Sequence, residues 1–244
     1  MIDWLLGAAI KRDSDPSIAV GDTRLPLAIR RHPRATRLTM RLAPDGSEVR
    51  ITMPRWGRTA DALAFAESRA DWLAGQIRAL PAPSPPEPGS TLAFRGQKLL
   101  IDWAPGHRRT PVADGDSLAV GGPQDTLQPR LRRWLEGQAL ALFTDDLAFY
   151  CARAALDLPD LRLSRATRRW GSCSGKGCIR LNWRLVQAPD PVRRSVVAHE
   201  VAHLTHFDHS PAFHARLAQL FEGDVAATDR WLKREGRGLY AAFG

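Results

Sequence analysis

Five of the chain's seven histidines fall between residues 199 and 214; the other two are His32 and His107. Imidazole titrates near neutral pH and is the commonest metal ligand, so this crowding points to metal binding or acid–base work. Within it stands His199-Glu200-Val201-Ala202-His203. Residues four apart on a helix lie one turn above each other on one face, so both imidazoles can reach a single ion. Glu200 follows the first imidazole by one residue, which lets its carboxylate approach a water on that ion rather than the ion itself. Zinc suits such ligands, and a catalytic zinc keeps one position open after three protein ligands. The chemistry predicted is hydrolysis, with the pKa of a zinc-bound water brought from about 15.7 to about 7 and Glu200 as general base.

Four residues compete for the third ligand position. His206 shares the helical face of His199 and His203 but lies about 4.5 Å farther along the axis than His203, whereas a tetrahedral ion needs its third ligand from another direction. The chain must turn first. Asp208-His209-Ser210-Pro211 supplies the turn, with Ser210 as N-cap and Pro211 at the first position of the next helix. His209 then sits in the bend, free to point back at the metal. His214 falls inside that next helix, and Glu222, near its end, is the rival because carboxylates also ligate zinc. The turn favours His209 over Glu222.

The remaining reactive groups are sparse. Cys151, Cys173 and Cys178 are too few for a disulfide framework and read as reduced, partly buried thiols. The net charge is +9, carried almost wholly by arginine, so phosphate and nucleic-acid partners have to be weighed. A short apolar patch, Trp4 to Ile10, lacks the basic flank and cleavage site of an export signal. No stretch approaches the roughly 20 apolar residues of a membrane helix, and the expectation is a soluble, cytoplasmic protein.

The elements that must position these residues show as changes of period. Leu25–Ile29, Leu38–Leu42 and Val49–Met53 read as short strands, the last two joined by a Pro44-Asp45-Gly46 turn. Thr59 is placed to cap a helix running to about Leu80. A proline-rich linker covers 81–89. Thr91–Phe94 and Lys98–Trp103 read as a further strand pair around Arg95-Gly96-Gln97, followed by a polar, glycine-rich stretch over 114–122. A long helix is predicted from Leu127 to about Leu156. Trp170 to Trp183 alternates like a half-buried antiparallel hairpin, and Asp190-Pro191 opens the histidine-bearing helix as N-cap and first residue. No internal repeat is evident. Strands followed by helices around one hairpin argue an α+β fold, divided into a β-rich region over 1–125 and a metal-dependent hydrolase domain over 126–244.

From Arg169 onward the chain resembles the YgjP-like metallopeptidase-domain family, minimal zincins related to SprT-like proteases. The matching text is Arg169-Trp-Gly-Ser-Cys-Ser174, Ile179-Arg-Leu-Asn-Trp-Arg-Leu185, Ala188-Pro189, the His-Glu-Val-Ala-His helix, and Leu204 through His209-Ser210 with Phe213. The N-terminal β region, the helix carrying Asp71-Trp72 and the linker are also similar. The resemblance implies a zincin-like C-terminal domain, a zinc held by His199, His203 and His209, and Glu200 as the catalytic carboxylate. Larger zincins take a glutamate about twenty residues past the second histidine, which is what keeps Glu222 in play. The chain departs from the family pattern at His214, where tryptophan is usual, and at Arg194-Ser195, where an Asp-Tyr pair is usual.

Three functions follow. The leading one is peptide or protein hydrolysis, with the Trp170–Trp183 hairpin lending an edge strand to an extended substrate. The alternative keeps the metal and hydrolyses nucleoside triphosphates as a pyrophosphatase. Lys176 and Arg180 are then the candidate phosphate-binding residues, beside Arg169 and Arg184. The third is a protease acting on DNA-bound proteins, although no nucleic-acid-binding motif is present. Tyr150, Tyr240, His206 and the hairpin arginines are open candidates for stabilising a developing oxyanion.

Overall fold

Alternating burial marks the strands of the first unit. The computed structural model describes residues 16–21, 23–44, 46–167, 169–175 and 177–243, so the Trp4–Ile10 patch, Asp45 and Lys176 lie outside the described residues. The chain forms two compact units, divided between Leu80 and Pro81. In the first, β1 (Ser17–Val20), β2 (Thr23–Arg31), β3 (Thr39–Leu42) and β4 (Val49–Met53) make one sheet in the order β1-β2-β4-β3. The expected Leu38–Leu42/Val49–Met53 hairpin is there, with Leu42 opposite Val49. Val49, Ile51 and Met53 alternate inward to a core shared with Ala62, Ala66 and Leu73.

The helix expected from Thr59 to Leu80 is two helices, α1 (Thr59–Glu67) and α2 (Ala70–Arg78). Arg58, not Thr59, is the N-cap of α1, because Asp61 reaches back to accept the Arg58 backbone N–H at 3.0 Å. The break at Ser68-Arg69 lets Ala62 and Ala66 on one helix and Leu73 on the other face the same core.

In the second unit β5 (Thr91–Phe94), β6 (Gln97–Trp103), β7 (Val112–Asp114) and β8 (Ser117–Val120) are ordered β5-β6-β8-β7. Both four-stranded sheets therefore use the same scheme: two hairpins joined by a parallel central pair, β2 with β4 and β6 with β8. The sequence reading found no repeat, since the recurrence is one of strand order. The polar, glycine-rich stretch over 114–122 holds the turn between β7 and β8, which pair, and Leu118 and Val120 are fully buried.

This second sheet shares its core with α3 (Leu127–Ala154), which buries Leu127, Leu131, Leu135, Ala139, Phe143 and Leu147 along one stripe. That shared core is why the compact units part at the linker rather than at 125/126, where the sequence reading drew the line. The rest of the unit comprises β9 (Asp160–Ser164), β10 (Gly171–Cys173), β11 (Cys178–Asn182), α4 (Asp190–Ala202), α5 (Pro211–Leu220) and α6 (Val225–Glu235). β9, β10 and β11 form a three-stranded sheet in which β10, at an edge, pairs antiparallel with β11, and β11 pairs parallel with β9. The fold is α+β, with three sheets and six α-helices among the described residues. No described helix is long and apolar enough to cross a membrane.

Candidate metal centre

The helix that carries the histidines is held at its start by the β5–β6 turn. Arg95 and Gly96 donate backbone N–H groups to the carbonyls of Val186 and Gln187 at 2.8 and 3.0 Å. Gly96, at φ 79°, packs so closely that a Cβ there would lie 3.0 Å from Pro189 Cα. Pro189 is the N-cap, displacing Asp190 from the role expected of it. The Asp190 carboxylate instead receives Arg95 Nε at 3.0 Å and pairs with Arg193. Arg193 is itself buried against Asp146 of α3 at 2.8 Å, an ion pair that ties α4 to α3. Val192, Val197 and Val201 pack inward, which turns His199 and His203 to another face of the same helix.

Three imidazoles converge at the far end of α4. His199 and His203 stand a turn apart, with their Nε2 atoms 3.2 Å from each other. The chain leaves α4 and bends, Ser210 caps α5 by accepting the Phe213 N–H at 3.4 Å, and His209 in the bend brings its Nε2 to 3.2 Å from that of His199. One nitrogen from each ring lies within 4.8 Å of the others. Zinc–imidazole bonds of about 2.05 Å at tetrahedral angles set nitrogens about 3.3 Å apart, so this donor set fits zinc.

The surroundings complete the fit. His203 Nδ1 donates to the His206 carbonyl at 2.8 Å, which fixes the tautomer that leaves Nε2 a lone pair. Burial, and then the nearby imidazoles, hold the His199 pKa down at about 4, keeping that ring neutral as a ligand must be. Phe213, fully buried, touches all three rings, with centroids 4.9 Å from His199, 4.5 Å from His203 and 4.8 Å from His209.

Glu200 projects from α4 toward β10 and is 5% exposed. Its Oε2 is buried and has no hydrogen-bond partner. Burial pushes its carboxyl up to about 7, against the pull of the Arg169 guanidinium and the Cys173 backbone amide. A buried carboxyl with one free oxygen is equipped to accept a proton and release it again. Room for it comes from Gly171: a Cβ at that position would meet Glu200 Oε1 at 2.3 Å.

Other residues singled out in the sequence stand elsewhere. Glu222 lies beyond the end of α5, where it takes the Tyr150 hydroxyl at 2.9 Å and Arg194 at 2.6 Å. That engagement accounts for both Glu222 and Tyr150, and Tyr240 is buried beside Asn182. Arg184 is buried between the rings of Trp183 and Tyr240. Arg180 is exposed on β11 between buried Ile179 and Leu181, and Leu181 pairs with Gly171. Arg180 therefore points away from Glu200. His214 is exposed on α5, its ring 6.5 Å from that of His209. Cys173 and Cys178 are free thiols, and Cys173 pairs with Ile179 rather than with Cys178.

Two contributors escaped sequence reasoning: Phe213 as the floor under the imidazoles and Gly171 as the space for the carboxylate. A glycine inside a strand is the one available signal for the second, since it marks a close approach.

A family model described as YgjP-like, metallopeptidase domain, matches residues 37–235. Among solved structures, the chain is similar to the metallopeptidase zymogen of Pyrococcus abyssi abylysin, at 23% identity over 39% of this chain and 96% of that one, with a TM-score of 0.35. No curated protein matches the chain.

Proposed function

We propose, of a chain that belongs to the YgjP-like metallopeptidase-domain family and so to the metal-dependent peptidases, that it is a zinc peptidase using Glu200 as general base. The carrying observation is the convergence of His199, His203 and His209 within 4.8 Å, beside a buried carboxylate with an unpartnered oxygen. In this reading the three imidazoles hold zinc, and α4 with the β9–β11 sheet makes a zincin-like arrangement. Zinc bound there supplies a Lewis acid and acidifies water toward a pKa of about 7.

The chain's own residues do the rest. Glu200 Oε2 takes the proton of the attacking water and later returns it to the leaving amine, a service typically worth about 10²–10⁴ in rate. Gly171 keeps that carboxylate in place, and Phe213 holds the imidazoles in register. Among the described residues β10 has a strand partner on only one side, and in this reading its other edge takes an extended peptide. The nucleotide alternative rested on Lys176 and Arg180, beside Arg169 and Arg184. Arg180 turns away from Glu200 and Arg184 is buried between two aromatic rings, so of these cations Arg169 is the one whose charge is seen to act on Glu200.

Elemental analysis should find about one zinc per chain, and the protein should cut a casein-type substrate. Glu200→Gln should retain zinc while turnover falls by about 10² or more, because it removes a base and not a ligand. Robust hydrolysis of a nucleotide panel with no peptide cleavage would overturn the proposal.

A further inference from the structure

Beside Glu200 and His199 lies a cavity of about 230 Å³. At about 30 Å³ per water in the liquid, that is room for about seven waters, or for one large side chain. Trp170, Val196, Leu217, Val225 and Leu232 give it an apolar side, and Ser195 is a small residue among them. Because the lining also includes Gly171, Glu200 and His199, the cavity opens onto the candidate site rather than lying apart from it.

One charged group besides Glu200 lines the space. α6 contributes Val225, Asp229 and Leu232, which recur at helical spacing and so share one face. That face packs toward α4, and Asp229 puts a carboxylate in the middle of an otherwise apolar stripe. Of its charged neighbours on α6, Arg230 pairs with Asp224 at 3.6 Å and Arg234 with Glu235 at 2.6 Å, while Lys233, one turn on and exposed, forms no ion pair with it within 4.0 Å. Among the described residues no lysine or arginine lines the cavity. Apolar walls ending in an unneutralised carboxylate suit a side chain with an aliphatic stem and a cationic tip.

We infer that this cavity receives the substrate side chain flanking the scissile bond and selects lysine or arginine there, with Asp229 as the specificity-determining carboxylate. The inference rests on the peptidase reading for its substrate class. The size of the effect follows from exposure: Asp229 is open to solvent, and an exposed ion pair is worth a few-fold rather than a thousand-fold.

The test uses the zinc-loaded full chain and a peptide series that places Lys, Arg, Leu or Glu in turn beside the cleaved bond. Lysine and arginine are expected to lead in kcat/KM. Asp229→Asn should lower the Lys/Leu ratio by about fivefold, and Asp229→Lys should move the preference toward glutamate. In parallel, calorimetry with metal-free protein should show an arginine-containing peptide bound about fivefold more weakly by Asp229→Asn, with a leucine-containing peptide unchanged. A wild-type preference for leucine, or a Lys/Leu ratio that ignores both substitutions, overturns the assignment. If the wild type cuts no peptide at all, the peptidase reading fails. Calorimetry then decides Asp229 by itself: arginine-peptide binding weakened by Asp229→Asn sustains the cavity assignment, and binding indifferent to it overturns the assignment.

Discussion

Replacing Gly171 by alanine separates the placement of Glu200 from the stability of the fold. The added Cβ would stand 2.3 Å from Glu200 Oε1 and 2.7 Å from both Cδ and Cγ. Ordinary contacts begin near 3.5 Å, so the carboxylate must retreat by about 1 Å. All three atoms belong to the outer part of a flexible side chain, and the cavity that Glu200 lines offers somewhere to go. The cost in stability should be mild, about 1 kcal/mol, or a fall in Tm of about 2–4 °C for a chain of this size. Catalysis is less forgiving, since a misplacement of about 1 Å in a reacting group can cost about 10²-fold. The imidazoles are untouched, so zinc content should not change. The assay is steady-state peptide hydrolysis alongside elemental analysis and a thermal melt. A kcat lower by about 10² with normal zinc is the expected result. A kcat within about threefold of wild type would refute the claim that catalysis needs the carboxylate where Gly171 lets it sit.

Two other substitutions probe the ligand set and the anchoring of α4. His209→Ala should lose most of the zinc affinity in a chelator competition, whereas Glu222→Ala should leave it nearly intact, because Glu222 is held by Arg194 and Tyr150 instead. The reverse result would assign Glu222 as the ligand. Asp190→Asn tests the clamp on the start of α4 through its pH dependence. Burial raises the Asp190 pKa, but the Arg95 hydrogen bond and the Arg193 charge outweigh it and hold the pKa below its ordinary value. A depressed carboxylate pKa contributes stability above the unfolded value, and that contribution is lost as pH falls through the folded one. Urea midpoints of wild type and Asp190→Asn should therefore differ at neutral pH and converge in strong acid. A gap that stays constant down to acid would contradict the ion-pair account.

Much of this protein was legible in its sequence wherever the controlling interaction was local. The spacing of His199 and His203, the Ser210-Pro211 start of α5 and the 170–183 hairpin depend on periods and caps a few residues long. Near such local rules the errors were small: Pro189 rather than Asp190 as N-cap, and a break at Ser68-Arg69 where one helix was expected. Tertiary structure decided whatever depended on residues remote in the chain. The parallel pairing of β6 with β8, and the core they share with α3, leave no local trace, so the boundary at 125/126 gave way to one at the linker. Glu222, the rival to His209 as third ligand, has partners, Arg194 and Tyr150, that come from two other helices and leave no mark in the local sequence. Gly171 is one glycine among 19 in the sequence; only the fold lays it against Glu200. A motif specifies which atoms can do chemistry because a helix repeats every 3.6 residues. Where a carboxylate rests depends on which atoms from elsewhere fill the space around it, and close packing settles that only once the whole unit has folded.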